Sequence, residues 1–250
     1  MDEYEKTFQS VTSVVFGKKL LGHEDYENWL TRQVSGLAKA PSALSGNPVL
    51  FPVFSFYEAI KHRLLTMDEA YEVAGKRRLT EEQVRSLSLA NAAQTLEGIS
   101  ITTPDTLMGT NSLMKESAIY YNSTACFRSA LMSGCKYCLY SFWPRDSQYV
   151  LGCHYAFSCS FCVRCFYSEN LTRCFEVSDS ANCSDCYFCY NCENLQDCMF
   201  CFNTKAKKYA IANMELPKER YKEIKQKVLV SIVNRLEKEK TLDVGIFSLS

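Results

Sequence analysis

Small and apolar side chains recur at every third position between residue 114 and about residue 209. All fourteen cysteines occupy this lattice, because each of their residue numbers is divisible by three. The lattice positions without cysteine hold mainly Ser, Ala, Val, Thr or Leu. A strand alternates its side chains with a period of two and a helix with a period of about 3.6, so neither accounts for the pattern. A tight coil that turns at each corner can direct every third side chain into a narrow core.

A twelve-residue period lies within this lattice. One column at that spacing is interrupted only by Val150 and consists of Cys126, Cys138, Cys162, Cys174, Cys186 and Cys198. The ninth place of the repeat tolerates a left-handed turn and holds Asn122, Gly134, Asp146, Ser158, Asn170, Asn182 and Asn194. The pattern therefore predicts a tight parallel β-solenoid with twelve-residue coils and locates one corner of each coil.

The chain before the solenoid has a helical pattern. A hydroxyl residue precedes Glu or Gln by three positions in Ser55–Glu58, Thr66–Glu69 and Thr80–Gln83, which is the spacing of a capping box. We expect helices over 55–65, 66–75 and 80–98, a further helix over 24–37, and a loop over 40–53. The leucines and aromatic residues of this region, including Leu87, Leu89 and Leu96, are expected to pack in a core.

A second helical pattern follows Ile211. Pro217 suits the first turn of a helix, and apolar residues recur at helical spacing at Tyr221, Ile224, Val228, Ile232 and Leu236. This helix could cap the end of the solenoid, whose last coil would otherwise expose a core and unpaired strand edges. The expected fold is therefore α+β, with a helical N-terminal region (1–100), a cysteine-rich β-solenoid (101–211) and a C-terminal capping helix and tail (212–250).

Composition and charge narrow the classes of function. The formal net charge is zero, so no overall basic field attracts nucleic acid or anionic lipid. The first residues are acidic, and no stretch has the length of a membrane span, so neither a signal peptide nor a transmembrane segment is expected. We expect a reducing compartment, in the cytoplasm or in a virion, with mostly free thiols.

The cysteines allow three interpretations. Repeated CxxC spacings are typical of zinc or iron–sulfur sites, but a lattice with a period of three produces the same spacing without any metal. We favour thiols packed as small hydrophobic side chains and no cofactor, with partial disulfides as an alternative. If zinc is bound, the densest run supplies the ligands: Cys183, Cys186, Cys189, Cys192, Cys198 and Cys201.

Groups suited to catalysis are few. The histidines are His23, His62 and His154, and the repeat places His154 between Phe142 and Phe166 of neighbouring coils, where ring stacking is expected. No phosphate loop, nucleophile elbow or paired-carboxylate motif is present. We therefore expect no catalytic site and no enzyme activity. Acids at outward positions, such as Glu169, Asp179 and Glu193, are expected to be solvated.

The outward surface of the solenoid carries a long apolar and aromatic ladder. Such a face is unusual on an isolated monomer, so we expect the N-terminal helices, a protein partner or a second copy to cover it. The predicted interaction face consists of Phe127, Leu139, Phe142, Trp143, Leu151, Tyr155, Val163, Phe166, Tyr167, Phe175, Tyr187, Tyr190, Met199 and Phe202.

Two resemblances follow from these patterns. The coil, with inward Cys, Ser and Ala three residues apart, is similar in geometry to the twelve-residue coil of insect antifreeze proteins. It lacks their Thr-x-Thr ladder, so ice binding is not expected. The stretch from Cys192 through Asn203 and Tyr209 to Asn213, followed by Leu216–Tyr221, resembles the end of uncharacterised cysteine-rich repeat proteins of bacterial candidate phyla and phages. That likeness covers roughly 110 residues and implies the solenoid, but it implies no activity.

These observations support one main hypothesis and two alternatives. The main hypothesis is a non-enzymatic structural or assembly protein, such as a phage virion component, that docks through the aromatic face. The first alternative is a thiol-rich metal-binding or redox protein. The second is an adaptor that binds a peptide or nucleic acid. The net charge of zero does not support binding of nucleic acid.

Overall fold

A computed structural model describes residues 2–73, 75–105 and 107–249 of the protein. The helices are α1 (Glu3–Phe16), α2 (Glu27–Thr31), α3 (Ser55–Ile60), α4 (Met67–Val73), α5 (Glu81–Ser86), α6 (Ala92–Leu96) and α7 (Lys218–Glu239), with 3-10 turns at His23–Tyr26 and Lys61–Arg63. Across these described ranges, no helix is both long and apolar enough to cross a membrane.

The strands form a short hairpin and a long coiled sheet. The hairpin pairs β1 (Leu37–Pro41) antiparallel with β2 (Pro48–Pro52). The coiled sheet contains β3 (Leu107–Met108), β4 (Ser112–Lys115), β5 (Ala118–Tyr121), β6 (Thr124–Phe127), β7 (Ala130–Ser133), β8 (Lys136–Leu139), β9 (Gln148–Leu151), β10 (His154–Phe157), β11 (Ser160–Val163), β12 (Phe166–Glu169), β13 (Phe175–Ser178), β14 (Tyr187–Glu193), β15 (Gln196–Met199), β16 (Phe202–Lys205), β17 (Lys208–Ile211) and β18 (Met214–Glu215).

The coiled sheet is the predicted parallel β-solenoid. From β4 to β17 the paired residues are parallel and twelve positions apart, as Ser112 and Thr124 are, and as Cys198 and Ala210 are. About eight coils follow one another between residues 112 and 211. A preceding partial coil pairs Met108 with Tyr121, thirteen residues away, so the solenoid begins slightly before the predicted first repeat. The fold class expected from the lattice is confirmed.

The backbone explains the period of three. Every third residue from Leu113 to Ala212 has a positive φ, with values such as 57° at Tyr137 and 51° at Arg164. Each left-handed residue turns the chain, so the two residues between successive turns form one short side of the coil. The predicted corner at the ninth place is present, and three further corners per coil accompany it. In the described stretch 113–212, Ile119 is the only β-branched residue at such a position, because branching at Cβ clashes most in this conformation.

The core of the solenoid consists of packed thiols and hydroxyls. All fourteen cysteines are buried and unpaired. Each thiol contacts the carbonyl oxygen of the residue two positions earlier. The distance from Cys126 Sγ to the Thr124 carbonyl oxygen, for example, is 3.4 Å. Serine hydroxyls in the core donate to carbonyl oxygens and accept a backbone N–H of the next coil. Ser141 Oγ, for example, donates to the Leu139 carbonyl and accepts the Cys153 N–H at 3.3 Å. Small residues with a weak donor therefore fill the core without leaving polar groups unpaired.

The outward ladder is covered by the chain's own helices. Phe127, Leu139, Leu151, Val163, Phe175, Tyr187 and Met199 are 0–2% exposed and belong to one cluster with apolar residues of α1, α2 and α7. Phe16 of α1 packs edge-on against Phe175 with ring centroids 5.0 Å apart. The Tyr187 hydroxyl donates to the Val15 carbonyl at 2.8 Å. The first of the three predicted covers, the N-terminal region, is therefore present, and α7 shares the role.

The N-terminal region differs from its predicted outline. Residues 3–16 form α1, a helix that the predicted outline does not contain. Residues 24–37 contain a 3-10 turn and the short α2 instead of one helix, and the expected loop over 40–53 contains most of the β1–β2 hairpin. The capping bonds predicted for Thr66–Glu69 and Thr80–Gln83 are present, whereas the helix near Ser55 has Phe54 as its N-cap.

Helices α4, α5 and α6 bury none of their described side chains. The prediction that Leu87 and Leu89 lie in a core was wrong, because they are 40% and 98% exposed. The helix predicted over 80–98 was also wrong in extent, because α5 ends at Ser86 and α6 begins at Ala92. Both helices lie on the surface, beyond the two main apolar clusters.

The C-terminal helix has the predicted apolar stripe, with Tyr221, Ile232 and Leu236 buried. It begins beside the last coil, where the Tyr221 ring lies 5.8 Å from that of Tyr209, and then contributes to the cover of the ladder. The last coil is completed by the antiparallel strand β18 and by the Asn213 side chain. The side-chain nitrogen of Asn213 donates to the Phe202 carbonyl oxygen, and the side-chain oxygen of Asn213 accepts the Phe202 N–H. These two bonds take the place of a further strand.

Candidate docking site on the uncovered walls

The four corners divide the outside of the solenoid into four walls. The ladder wall is the one under α1 and α7. The second wall carries Phe142, His154 and Phe166, which are buried beneath other parts of the same chain. The remaining two walls have no helix over them in the described ranges. One is polar, as at Gln148 and Gln196, and the other, here called the groove wall, carries Phe157, Glu169, Ala181, Glu193 and Lys205.

The corner between the two covered walls holds the N-terminal region against the solenoid. Its successive residues, here called the clamp corner, are Tyr140, Gly152, Arg164 and Glu176. The Tyr140 hydroxyl lies 2.9 Å from His23 Nδ1. Gly152 has a φ of 61°, and a Cβ there would lie 2.5 Å from the Leu30 carbonyl oxygen, so only glycine allows α2 to approach this closely.

A buried ion pair continues the clamp corner. The Arg164 and Glu176 side chains are 3% and 1% exposed, and Arg164 Nε donates to a Glu176 carboxylate oxygen. The guanidinium also donates to the Trp29 carbonyl and to the Gln33 side chain. Glu176 in turn accepts the backbone N–H of Ile246 at 2.8 Å. One ion pair therefore joins α2, two adjacent coils and the C-terminal tail.

The predicted interaction face is divided by these covers. Nine of its residues are buried within the chain itself and are not available to a partner, which corrects the prediction for Phe127, Leu139, Phe142, Leu151, Val163, Phe166, Phe175, Tyr187 and Met199. The sequence could not show which of these residues are covered, because the cover comes from α1, α2, α7 and the C-terminal tail, which lie outside the repeat. The remaining five are exposed or partly exposed: Trp143, Tyr155, Tyr167, Tyr190 and Phe202.

Three of these five form a stacked strip along one corner. The rings of Trp143 and Tyr155 lie 5.1 Å apart at 27°, and those of Tyr155 and Tyr167 lie 5.0 Å apart at 11°. Tyr167 is 57% exposed at the end of the stack. The strip, here called the aromatic strip, follows from residues twelve apart lying directly above one another at the spacing of neighbouring strands, about 4.8 Å.

A surface groove of about 770 Å³ begins at the aromatic strip and crosses the groove wall. The corner residue changes from Tyr167 to Asp179, Asn191 and Asn203 in successive coils, so the large rings give way to short side chains and leave a depression. Carboxylates of Glu169, Asp179 and Glu193 line it together with the Lys205 ammonium, and its floor includes Ser180, Cys192 and Thr204. The predicted face omitted Asp179, Asn191 and Asn203, although their twelve-residue spacing from Tyr167 was visible in the sequence.

The two histidines near the solenoid are held by packing contacts. The His154 ring lies edge-on to Phe142 at 5.1 Å, and its Nδ1 lies 3.3 Å from the Gln33 carbonyl. Burial lowers the pKa of His154, although the Gln33 carbonyl opposes that shift. His23 is buried between Phe127 and Tyr140. Both rings thus join the N-terminal region to the coils.

The thiols lie where they can pack but have little access to solvent. Burial raises the pKa of Cys138, Cys153 and Cys162 well above its usual range, and it raises that of Cys192 to about 11. Hydrogen bonds from the Cys189 and Cys198 thiols lower the pKa of Cys201. The six candidate zinc ligands point into the core and contact backbone carbonyls. Among the residues the structure describes, no group of three or more His, Cys, Asp or Glu side chains is arranged to hold a metal ion.

Comparison with protein-family models and with curated proteins finds no match to this chain.

Proposed function

We propose that the protein is a non-enzymatic structural or assembly component that docks a protein partner through the aromatic strip and the adjoining groove. The carrying observation is the stack of Trp143, Tyr155 and Tyr167 along one corner, which ends in the 57% exposed Tyr167. The Trp143 end packs against Phe54 of the same chain, and helices α1, α2 and α7 cover the ladder. Tyr and Trp supply large contact area with little loss of side-chain entropy, and they are enriched where proteins bind each other.

The rigid framework beneath the strip supports this proposal. Its strands are paired with both neighbouring coils, so binding would cost little ordering of the backbone. In this proposal the thiols serve as core side chains. All fourteen are buried, and their sulfur atoms contact backbone carbonyl oxygens of the coils, as those of Cys186 and Cys198 do. The resemblance to phage-encoded cysteine-rich repeat proteins makes a virion the first assembly in which to look for the partner.

Site-specific photocrosslinking tests the proposal. A benzophenone amino acid replaces Tyr167 in one variant and Tyr71 in a control, which is 68% exposed on α4, away from the groove. Both variants are irradiated in the source cells or particles. We expect one discrete crosslinked product from position 167 that disappears when Tyr155→Ser is added, and none from position 71. Failure of position 167 to give any product dependent on Tyr155 would refute docking at the strip.

A further inference from the structure

The groove beside the aromatic strip has an excess of negative charge. Three carboxylates line it, those of Glu169, Asp179 and Glu193, against the Lys205 ammonium among the lining residues and the Arg145 guanidinium beside them, which lies 5.6 Å from the centroid of the Phe157 ring. All three acids are exposed. Within residues 2–73, 75–105 and 107–249, none of the three forms an ion pair, although the acids at Glu27, Glu116 and Glu176 on the clamped side each pair with an arginine. The groove therefore favours a cationic ligand.

The end of the aromatic strip adds a preference for a flat cation. Tyr167 stacks on Tyr155 through one face, and the next residue of its corner is the short Asp179, so its other face borders the open groove. A guanidinium can stack on a tyrosine face while it donates to a neighbouring carboxylate such as Glu169, and a lysine ammonium can make the same contact less specifically.

The spacing of the acids indicates the conformation of the ligand. Glu169 and Glu193 lie on the same wall two coils apart, with Ala181 between them, and neighbouring strands are separated by about 4.8 Å, which gives about 9.6 Å. A polyproline II segment has three residues per turn and a rise of about 3.1 Å, so its side chains at positions i and i+3 share a face about 9.3 Å apart. An extended β-strand would direct those two side chains to opposite faces.

Backbone recognition is also available along the groove. Asn191 donates through its side-chain nitrogen to the Asn203 side-chain oxygen at 2.8 Å, which leaves an acceptor on Asn191 and donors on Asn203. A polyproline II backbone has no internal hydrogen bonds, so its carbonyl and N–H groups can meet these amides.

We propose that the groove binds a cationic peptide segment of the partner in the polyproline II conformation, with arginine or lysine at positions i and i+3. One base contacts Glu169 and the face of Tyr167, and the other contacts Glu193. This inference rests on the proposed docking function and specifies the chemistry of the partner.

Fluorescence anisotropy with the full chain tests the inference. The probe is a labelled proline-rich nonapeptide containing Arg-Pro-Pro-Arg. One comparison peptide replaces both arginines with glutamate, and another places the two arginines side by side. We expect binding of the first peptide that weakens with salt, weaker binding of the side-by-side peptide, and no binding of the glutamate peptide.

Matched variants separate the groove from general charge effects. The double variant Glu169→Gln/Glu193→Gln should bind the Arg-Pro-Pro-Arg peptide about tenfold more weakly than wild type. Glu81→Gln/Glu82→Gln changes the net charge equally on α5 and should bind like wild type. Circular dichroism of both variants establishes that they are folded.

Three outcomes would overturn the inference: no binding of the peptide to wild type, equal weakening in both double variants, or equal affinity for all three peptides. If peptide binding fails while position 167 still crosslinks to a partner, the cationic assignment is wrong and docking at the strip stands. If position 167 gives no crosslink, the docking proposal itself fails, whatever the peptide does.

Discussion

The buried ion pair of the clamp corner allows a quantitative test of how the chain is held together. Glu176→Gln keeps the shape of the side chain and an oxygen to accept the Ile246 N–H, but it removes the negative charge that pairs with Arg164. Both side chains are almost fully buried, at 3% and 1% exposure. Removal of one partner of a buried pair leaves an uncompensated charge and costs about 3–5 kcal/mol. For a chain of this length, that loss lowers the melting temperature by roughly 6–20 °C.

A second ion pair supplies the control. Arg173 and Asp185 are also twelve residues apart and bonded at 2.6 Å, but their side chains are 44% and 22% exposed. Asp185→Asn should therefore cost less than about 1 kcal/mol. The free energies of unfolding are measured by urea titration in the presence of reductant, followed by circular dichroism.

The double variant Arg164→Met/Glu176→Gln completes the test. It removes both charges, so it should be more stable than Glu176→Gln alone. The free energies of unfolding lost in the two single variants should therefore not add up to the loss in the double variant, and a double-mutant cycle measures the difference. If Glu176→Gln unfolds within about 1 kcal/mol of wild type, or no more easily than Asp185→Asn, the assignment of the clamp to this ion pair is refuted.

Three further predictions concern stability. Gly152→Ala should cost about 1–3 kcal/mol more than Gly134→Ala, because its Cβ meets the fixed Leu30 carbonyl, and urea titration of both variants measures the difference. Burial lowers the pKa of His154 below the unfolded value of about 6.5. The resulting stability is present above that pH and is lost as the pH falls below it. In urea titrations, the midpoint of His154→Gln should therefore fall less steeply at acidic pH than the midpoint of wild type. Burial raises the pKa of core thiols such as Cys153 above the unfolded value of about 8.5. The resulting stability is present below that pH and is lost as the pH rises above it. The urea midpoint of Cys153→Ser should therefore fall less steeply at alkaline pH than that of wild type.

Each of these predictions has a clear contrary result. Equal losses for the two glycine variants would mean that the close approach of α2 does not restrict this position. A wild-type midpoint that stays constant between pH 7 and pH 5, or between pH 8 and pH 10, would contradict the histidine or the thiol prediction respectively.

The coil could be predicted because its cause is local. A residue that points into a narrow core must be small, and this requirement repeats every three residues whatever the rest of the chain does. The other corners were also visible in principle, because left-handed positions exclude branching at Cβ and only Ile119 departs from that rule in the stretch 113–212. Aromatic and arginine residues at these places, such as Tyr155 and Arg164, carry no turn signal of their own and so concealed the corners.

The cover of the ladder could be predicted only in part. Phe8, Val11 and Val15 recur at helical spacing and could have predicted α1, but the sequence does not show which surface a helix packs against. Opposite charges twelve residues apart were likewise visible at Arg164 and Glu176. Their burial follows from contacts with α2 and the C-terminal tail, which no local pattern contains. The local cap at Thr80 also predicted where α5 begins, but not that this helix ends at Ser86 and buries none of its side chains.

In the proposed function, the chain covers its own ladder and leaves Tyr167 at the end of the aromatic strip open to a partner. Hydroxyl-radical footprinting of the isolated chain and of the native assembly that contains it tests this claim most directly. We predict that Phe127 and Phe175 stay unlabelled in both states, that Tyr71 is labelled in both, and that Tyr167 is labelled in the isolated chain and protected in the assembly. Equal labelling of Tyr167 in the two states would refute docking at the aromatic strip, and labelling of Phe175 in the isolated chain would show that the helices do not cover the ladder.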